Sequence, residues 1–364
     1  MAKWGRLGRR QERKKRTSPV VDWHKNDGHL LRAHYHGAQV LVTGGAGAIG
    51  SNLTRALVAL GSAVVVVDDL SSGFLKNLHP VADRIVFVEG DIVKDEVLAK
   101  VFARRFDLVF HLAALFANQN SVEHPEQDLA TNGMGTLKLC SRSVESGVGR
   151  FVFASSSCVY GGAGGRIAED APCAPHTPYA MTKLLGEQYV GFHHRHHGLQ
   201  AVVLRYFNSF GPGEYPGPYR NVIPNFMAKA RRGEALPLTG DGEETRDFTF
   251  VADTVRGTLM AGMIPEAAGQ TLNLGTGQET RIHDLAVAIN EIAGNAAGIR
   301  YVERRSWDHI PHRCAGVDRA REILGYKPEC TLEEGLAATY RWVQEAGCEP
   351  GMGPAEQVGC GGRT

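Results

Sequence analysis

The sequence predicts an α/β fold: a doubly wound parallel sheet with a smaller α+β domain towards the C-terminus. Short, continuously apolar runs such as "AQVLVT" and "AVVVVDD" are typical of strands that are covered on both faces. Stretches with helical spacing alternate with these runs, and repeated alternation of strand and helix indicates a parallel sheet. The 364 residues are enough for two domains with a sizeable core.

The predicted elements follow this alternation along the chain. Ala38–Thr43 is a buried strand that ends in glycines, and "AIGSNLTRALVALG" after it is a helix with Gly61 as its stop. Further strands are predicted at 63–69, 84–88, 107–112, 150–155 and 200–205. Helices are predicted near 95–104, 126–147 and 178–197, and shorter elements such as 251–263, 282–293 and 332–346 follow a loop rich in Gly and Pro.

Composition and charge exclude several classes of protein. A formal net charge of +1 provides no overall field for nucleic acid or a membrane surface. No apolar stretch approaches the roughly 20 residues that a spanning helix needs, and the basic N-terminus lacks the apolar segment of a secretory signal. Seven scattered cysteines without a CxxC pair indicate reduced thiols, so we expect a cytoplasmic protein without a metal site.

A glycine-rich turn between the first strand and the first helix predicts a dinucleotide site of the Rossmann type. In "VLVTGGAGAIG", Gly44 allows a tight turn, Gly47 lets the backbone approach a pyrophosphate, and Gly50 packs helix on sheet. Asp68 closes the second strand 18 residues after Gly50, where a carboxylate binds the adenine ribose and repels a 2′-phosphate. The pattern therefore predicts NAD rather than NADP, the alternative being that "DD" only forms a turn.

A candidate reactive centre combines a strand end with one helix face. "TPYAMTKLLGEQ" places Tyr179 and Lys183 four residues apart, hence on one face of a helix. A free phenol has a pKa of about 10, and we expect the adjacent ammonium and a positive nicotinamide ring to depress it. The strand in "FVFASSSCVYG" delivers serine hydroxyls to the carboxyl edge of the sheet, where ligands bind in this architecture.

Taken together, these motifs resemble the extended short-chain dehydrogenase/reductase superfamily, in its nucleotide-sugar epimerase/dehydratase branch. The resemblance covers about residues 38–345 and rests on "TGGAGAIG", "VDDL", "EGDI", "HLAA", "SSSCVYG", "PYAMTK", "RYFNSFGP" and "TRDFTFV". It implies a tightly bound NAD and oxidation of a sugar hydroxyl, commonly at C4, to a ketone. It also implies that Ser156 is the catalytic hydroxyl, that Tyr179 is the base and that Lys183 tunes it.

The resemblance assigns binding residues in both halves of the chain. The implied cofactor contacts are Gly44, Gly47, Ala48, Ile49, Gly50, Asp68, Asp91, Ile92, Leu112, Ala113, Ala114, Asn132, Tyr179 and Lys183. The implied contacts to the nucleotide-diphosphate sugar are Ser156, Ser157, Asn208, Val222, Arg246, Arg305 and Asp308. For Arg305 and Asp308 the alternatives are a surface arginine and a helix-capping aspartate.

The pair Ser157-Cys158 distinguishes the reactions of this family. In the family that the chain resembles, the 4,6-dehydratases carry Asp-Glu at these two positions, and the UDP-glucuronate decarboxylases usually carry Glu at the second. The pair Ser-Cys therefore disfavours dehydration. GDP-sugar 3,5-epimerases use such a cysteine together with a His or Lys from the loop after "GP", but "GPGEYPGPYRN" contains neither. The preferred interpretation is therefore an NAD-dependent nucleotide-sugar 4-epimerase.

Two alternatives to this interpretation stay open. The first is a 3,5-epimerase, decarboxylase or dehydratase of the same family that uses Cys158 as acid or base. The second is a non-catalytic NAD-binding sensor or scaffold, for which the basic N-terminal arm would bind an acidic partner. The complete Ser/Tyr/Lys set argues against this second alternative.

The expected organisation is two domains with tails. A basic, disordered arm is expected over 1–36 and a flexible tail over 346–364. The NAD-binding domain is expected over 37–206, with a return segment near 240–265, and the substrate-binding domain over 207–239 and 266–345. The resemblance implies a homodimer formed through a four-helix bundle of the helices near 126–147 and 178–197.

Overall fold

The computed structural model describes residues 27–116, 118–303 and 310–346. The helices are α1 (Asp27–Tyr35), α2 (Ala48–Leu60), α3 (Asp95–Phe102), α4 (Asn118–Glu123), α5 (Pro125–Asp128), α6 (Thr136–Glu145), α7 (Pro178–His197), α8 (Val222–Arg231), α9 (Val251–Met263), α10 (Ile282–Ala293), α11 (Asp318–Leu324) and α12 (Leu332–Glu345). A π-helical segment, Leu129–Gly135, joins α5 to α6, and short 3-10 turns occupy Leu75–Arg84, Ser157–Tyr160 and Pro265–Ala267.

The strands lie close to the predicted apolar runs. They are β1 (Gln39–Thr43), β2 (Ala63–Asp68), β3 (Ile85–Glu89), β4 (Leu108–His111), β5 (Arg150–Ser156), β6 (Arg166–Ile167), β7 (Ala201–Tyr206), β8 (Ser209–Phe210), β9 (Leu236–Thr239), β10 (Thr245–Arg246), β11 (Thr249–Phe250), β12 (Thr271–Leu274), β13 (Thr280–Arg281), β14 (Ile299–Val302) and β15 (Cys314–Ala315).

A seven-stranded parallel sheet in the order β12-β7-β5-β4-β1-β2-β3 carries the fold. Side chains of β1 alternate between its two faces, since Val40 and Val42 pack with α1, α2 and α9, whereas Leu41 packs with α3 and α6. Both faces are thus covered, which explains why these strands are continuously apolar. The predicted doubly wound α/β class is confirmed.

A strand from the C-terminal half completes this sheet. The expected division assigned 266–345 to the substrate-binding domain, but β12 pairs with β7 in parallel register and α11 packs on it. Leu272 and Leu274 of β12 are buried in the same core as β1. This strand was missed because its four residues, "TLNL", alternate polar and apolar side chains and give no apolar run that could be recognised.

The segment 1–36 was expected to be a disordered arm, but its residues 27–35 form helix α1. Leu31 and Tyr35 of α1 are fully buried against α2 and α9. The Tyr35 hydroxyl donates a hydrogen bond of 2.7 Å to the carbonyl oxygen of Leu259, and its ring packs against Phe110. The basic run at 1–17 and the C-terminal tail from 347 onward lie outside the described residues.

A second, smaller core lies beyond the carboxyl ends of the strands. Apolar residues of α8, α10 and α12 pack there around the two-stranded β9–β14 sheet. None of the helices in the described residues combines the length and apolar character that a bilayer-spanning segment requires. The two cores leave a crevice between them, and the candidate site lies in it.

We expect Tyr35→Ala to lower the free energy of unfolding by about 3–5 kcal/mol, the usual cost of truncating a buried aromatic side chain. Chemical denaturation monitored by circular dichroism measures this loss. Leu30→Ala is the matched control, because Leu30 lies on the same helix with 57% of its side chain exposed. Equal stability of the two variants would contradict the docking of α1 on the sheet.

Candidate active site

A cavity of about 520 Å³ lies at the carboxyl ends of the central strands. Its walls are the glycine turn after β1, the ends of β2 and β4, the Tyr/Lys face of α7 and the loop that carries Glu214 and Arg220. The strand order reverses between β1 and β4, and this is the position at which ligands bind in open parallel sheets.

The glycine turn has the close backbone approach that its sequence predicts. Gly44 has φ +71°, and a Cβ there would lie 2.6 Å from the backbone nitrogen of Ala113. A Cβ on Gly50 would overlap the carbonyl oxygen of Gly44. Helix α2 begins directly after Gly47 without a side-chain cap, so its first N–H groups are available to an anion.

Asp68 lies in this cavity as predicted, but its carboxylate also organises the turn. Its Oδ2 accepts a 2.8 Å hydrogen bond from the backbone nitrogen of Ala46, and its Oδ1 accepts one of 2.9 Å from that of Leu70. Burial raises the pKa of Asp68, while these two backbone donors lower it. Each oxygen retains an acceptor position, which suits the two hydroxyls of a ribose.

The predicted cofactor residues converge on this cavity with one exception. Its lining includes Gly44, Gly47, Ala48, Ile49, Gly50, Asp68, Asp91, Ile92, Leu112, Ala113, Ala114, Tyr179 and Lys183. Asn132, which was expected near the nicotinamide, is instead buried behind the wall. Its Oδ1 accepts a 2.8 Å hydrogen bond from the backbone nitrogen of Leu115, and its Nδ2 donates one of 2.7 Å to the carboxylate of Asp128. It therefore positions the loop after β4.

Lys183 is a buried cation that faces the cavity, with only 3% of its surface exposed. Its Nζ donates a 2.9 Å hydrogen bond to the carbonyl oxygen of Ala154, at the end of β5. Burial lowers the pKa of Lys183 to about 8, although the negative charges of Asp128 and Glu187 act in the opposite direction. The ammonium therefore loses its proton at a pH only slightly above neutrality.

Burial dominates the electrostatics of Tyr179 in the protein alone. It raises the pKa of the phenol, and the neighbouring Cys158 acts in the same direction, whereas the depression expected from the sequence also requires a positive nicotinamide ring. The Ser156 hydroxyl, within hydrogen-bonding reach of the phenol, lowers it. Lys183 does not offset the desolvation, since its Nζ is 5.8 Å from the centre of the phenol ring and is bonded to Ala154. The phenol is therefore protonated at neutral pH in this structure.

Two buried carboxylates that the sequence argument missed support the Tyr/Lys helix. Asp128 accepts a 2.6 Å hydrogen bond from the Thr182 hydroxyl, next to Lys183. Glu187 forms a buried ion pair with Arg205 at 2.7 Å and accepts a hydrogen bond of 2.5 Å from Ser155. For Glu187 the sequence offered a signal, because this residue follows Lys183 by four positions and therefore shares its face of α7.

The serine cluster separates into different environments. Ser156 caps the following turn by accepting from the backbone nitrogen of Cys158 at 3.2 Å, and it stays half-buried beside Tyr179. Ser157, expected to contact the sugar, is instead 2% exposed and lines neither of the two cavities described here. Ser156 also lines neither cavity, and Ser157 lies after the end of β5, in the 3-10 turn Ser157–Tyr160.

A second cavity of about 750 Å³ adjoins the first and holds the predicted substrate residues. Asn208, Val222 and Arg246 line it, and Arg220 and Asn221 line both cavities. Asn208 has φ +29°, a strained conformation for a side-chain-bearing residue. Its amide donates a 3.0 Å hydrogen bond to the carbonyl oxygen of Asp247. The other predicted substrate residues, Arg305 and Asp308, lie outside the described residues.

Glu214 is another residue of the first cavity that the sequence did not single out. It is buried, and its Oε1 accepts a 2.9 Å hydrogen bond from Nδ2 of Asn221. Burial raises the pKa of Glu214 to about 7, while the guanidinium of Arg220 opposes this rise. Both residues lie in a Gly/Pro-rich loop, where no periodic pattern identifies the buried positions.

The arrangement fits a dinucleotide. An uncapped helix N-terminus suits the pyrophosphate, the Asp68 carboxylate suits an unphosphorylated adenosine ribose, and Tyr179 and Lys183 lie where a nicotinamide would reach. No group of three potential metal ligands is found among the described residues. In the histidine-rich "HHRHH" segment (193–197), the His193 ring is hydrogen-bonded to the carbonyl oxygen of Tyr189 and to the hydroxyl of Ser141.

Comparison with known proteins gives the same picture. The NAD dependent epimerase/dehydratase family matches residues 40–275. A UDP-glucose 4-epimerase of Mycolicibacterium smegmatis is 36% identical over 310 residues, covering 84% of this chain and 98% of that protein. Other similar proteins have different names: a UDP-N-acetyl-alpha-D-glucosaminuronate decarboxylase of Bacillus cytotoxicus is 32% identical, covering 84% of this chain and 97% of that protein. A dTDP-glucose 4,6-dehydratase of Streptomyces niveus is 33% identical, covering 89% and 98%.

Solved structures agree with the fold and with the cofactor. An epimerase of Methanothermobacter thermautotrophicus is 49% identical with a TM-score of 0.84, covering 87% of this chain and 95% of that one. The UDP-glucose 4-epimerase of Thermotoga maritima, solved with UDP-glucose, is 35% identical with a TM-score of 0.81, covering 85% and 99%. The UDP-glucose 4-epimerase of Thermus thermophilus, solved with NAD, is 30% identical with a TM-score of 0.79, covering 85% and 99%.

Burial of Lys183 predicts a measurable pH dependence of stability. Its folded pKa of about 8 lies below the ordinary 10.5, so between these values the unfolded chain binds more protons and stability rises with pH. The free energy of unfolding of the wild type, minus that of Lys183→Met, should increase by about 2 kcal/mol from pH 7 to pH 9.5. Urea denaturation at both pH values measures this.

The matched control is Lys100→Met, because Lys100 is an exposed lysine on α3. The difference between the wild type and this control should stay constant over the same pH range. A difference for Lys183→Met that is flat, or that falls with pH, would contradict a desolvated ammonium at position 183.

Proposed function

The chain belongs to the NAD-dependent epimerase/dehydratase family, and we propose that within this family it is a nucleotide-sugar 4-epimerase working through a 4-keto intermediate. The observation that carries the proposal is the immediate environment of Tyr179. A half-buried serine hydroxyl and a buried ammonium accompany the phenol, whereas positions 157 and 158 provide no carboxylate. Oxidation and reduction at one carbon require only the first set of groups.

NAD, when bound, would supply hydride transfer to and from C4. The chain's own residues hold the dinucleotide and manage the proton. The backbone of the glycine turn and the N-terminus of α2 accommodate the pyrophosphate, and Asp68 accepts from the ribose. Lys183, which faces the cavity beside the end of β5, would donate to the second ribose.

Tyr179 is the proposed acid and base, with Ser156 as its partner. The ionised phenol takes the proton of the C4 hydroxyl and returns it to the ketone oxygen, and the Ser156 hydroxyl donates to that oxygen in both directions. Burial makes ionisation of the phenol costly, and the Lys183 ammonium alone does not offset this cost, so catalysis needs further positive charge near the phenol. The positive nicotinamide ring would provide it.

The second cavity supports a nucleotide-diphosphate sugar as the substrate. Arg220 and Arg246 provide guanidinium groups on its wall, and a planar guanidinium suits diphosphate oxygens. Because Arg220 and Asn221 line both cavities, a ligand in the second cavity has a direct path to Tyr179. The Thermotoga maritima relative was solved with UDP-glucose, which supports a substrate of this class.

We also propose that the protein is a homodimer in the cytoplasm. Exposed apolar side chains gather on α4, the π-helical segment and α7: Val122, Leu129, Met134, Met181 and Phe192. Such a patch is typical of an interface between subunits. The five cysteines in the described residues, Cys140, Cys158, Cys173, Cys314 and Cys330, are all free thiols, which supports a reducing compartment.

We expect Tyr179→Phe to lower kcat by about 10³-fold, because it removes the proposed proton carrier and leaves the ring in place. Interconversion of C4-epimeric UDP-, GDP- and dTDP-sugars, followed by chromatography, measures this. Tyr189→Phe, on the same helix α7, is the matched control and should retain full activity. No interconversion of any such pair by the NAD-loaded wild type would overturn the proposed function.

Turnover in deuterium oxide distinguishes the proposed reaction from the one in which Cys158 removes a proton beside the ketone. A pure 4-epimerase returns the original hydrogen to C4 and leaves C3 and C5 untouched, so the product should contain no solvent deuterium bonded to carbon. Deuterium at C3 or C5, detected by mass spectrometry and NMR, would instead favour an acid/base role of Cys158.

We expect the double substitution Leu129→Glu with Met181→Glu to convert a dimer into a monomer. The two side chains are 53% and 52% exposed on the apolar patch, and carboxylates there would be buried without partners on association. Light scattering coupled to size-exclusion chromatography measures the mass. Leu75→Glu, at an exposed apolar residue outside the patch, is the control. A monomeric wild type, or an unchanged double variant, would disprove this interface.

A further inference from the structure

We propose that Asn118, Cys158 and Arg313, together named the Arg313 cluster, bind a carboxylate on the sugar, so that the substrate is a nucleotide-diphosphate uronic acid. The inference rests on the proposed function, because it specifies the sugar whose C4 hydroxyl Tyr179 deprotonates. It depends on a buried cation, on two convergent donors and on their position beside the reactive phenol.

Arg313 is a buried guanidinium whose hydrogen-bonding capacity is only partly used. Its surface is 5% exposed, and its Nη2 donates a 3.2 Å hydrogen bond to the carbonyl oxygen of Gly161. Its Nε has no hydrogen-bond partner among the described residues. Within 27–116, 118–303 and 310–346, no carboxylate lies within ion-pairing distance of this guanidinium. The charge is therefore buried without an anionic partner in the part of the chain that the structure describes.

The neighbouring carboxylate of Asp247 does not compensate this charge. The backbone nitrogen of Asp247 is bonded to the carbonyl oxygen of Arg313 at 3.0 Å, but its side chain accepts from Thr276, Gly277 and Ala315. Because burying an unpaired charge costs several kcal/mol, such a charge next to a proposed reactive centre points to a ligand of opposite sign.

Two donors of the cluster point at one position. Nη1 of Arg313 and Nδ2 of Asn118 each lie 3.6 Å from Sγ of Cys158. The Asn118 amide is oriented by Thr177, whose hydroxyl donates to Asn118 Oδ1 at 2.8 Å. A sulfur atom is a weak acceptor for two such donors, whereas a carboxylate offers each of them a strong, charge-assisted bond. The inferred carboxylate therefore binds these two donors beside the thiol, without replacing it.

The Arg313 cluster adjoins the proposed reactive groups. Cys158 is close enough to Tyr179 to influence its pKa, and it follows the proposed catalytic hydroxyl of Ser156 by two residues. In a hexose, C5 is bonded to C4 and carries C6. A sugar whose C4 hydroxyl meets Tyr179 therefore directs its C6 substituent to the groups beside that residue. A C6 carboxylate places two oxygens there, matching the planar donors of a guanidinium.

The experiment compares two ligands that differ only at C6. Titration calorimetry with UDP-glucose and UDP-glucuronate measures binding to the full-length, NAD-loaded protein, and kcat/KM for C4 epimerisation is measured on both. We expect the wild type to prefer the uronate by about 30-fold. Arg313→Met should weaken uronate binding by about 10- to 100-fold, the range for hydrogen bonds to a charged group, and UDP-glucose binding by less than threefold.

Three further variants test how the preference arises. Arg313→Lys should retain part of the uronate preference, because the positive charge stays but the planar, two-donor geometry of the guanidinium is lost. Asn118→Ala should reduce it by removing the second donor. Arg321→Met is the matched control on the same segment and should leave it unchanged, since Arg321 is exposed and pairs with Asp318.

The outcomes separate this inference from the proposed function. A wild type that binds and epimerises both ligands equally would overturn the inference and leave the 4-epimerase proposal intact. An equal loss for both ligands in Arg313→Met would also overturn it, because it indicates a purely structural role. A uronate preference in binding that Arg313→Met removes, without turnover of either ligand, would support the carboxylate site and contradict the proposed function. If Arg313→Met does not fold, the wild-type preference and Asn118→Ala decide.

Discussion

The buried ammonium of Lys183 is the constraint on which the candidate site depends. A desolvated cation at the end of a sheet must be compensated by acceptors and by negative charge. The carbonyl oxygen of Ala154 provides the hydrogen bond, and Asp128 and Glu187 provide the charge. Asp128 and Glu187 are in turn held by Thr182 and Arg205, so the cation ties β5, β7, α5 and α7 together. The same burial that lowers the pKa of Lys183 raises the pKa of the neighbouring Tyr179 phenol.

The sequence predicted the sheet because each of its first six strands is a recognisable apolar run next to Gly or polar residues. It also predicted the glycine turn and the Tyr/Lys pair, since both depend on local spacing. The strand β12 and helix α1 were missed, because their burial is created by distant partners such as β7 and α9. Local patterns carry no information on contacts of this kind.

The site was less predictable than the sheet for the same reason. Asp128, Glu214 and Arg313 look like ordinary polar residues in the sequence, and only the tertiary structure removes them from water. Conversely, Asn132 and Ser157 have side chains suited to ligand contact, but the chain buries them. The strong desolvation of the Tyr179 phenol was not predictable, because the sequence shows which charges are near but not how deeply the phenol is buried.

The π-helical segment Leu129–Gly135 has one further consequence. Its inner side carries Asn132, which holds the loop at Leu115 along the dinucleotide cavity, and its outer side presents Leu129 and Met134 to solvent. A protein surface that covers those two side chains would therefore contact the segment that positions the loop along the dinucleotide cavity. Binding of that protein surface and binding of the dinucleotide would then be coupled. By thermodynamic linkage, each would change the affinity of the other by the same factor.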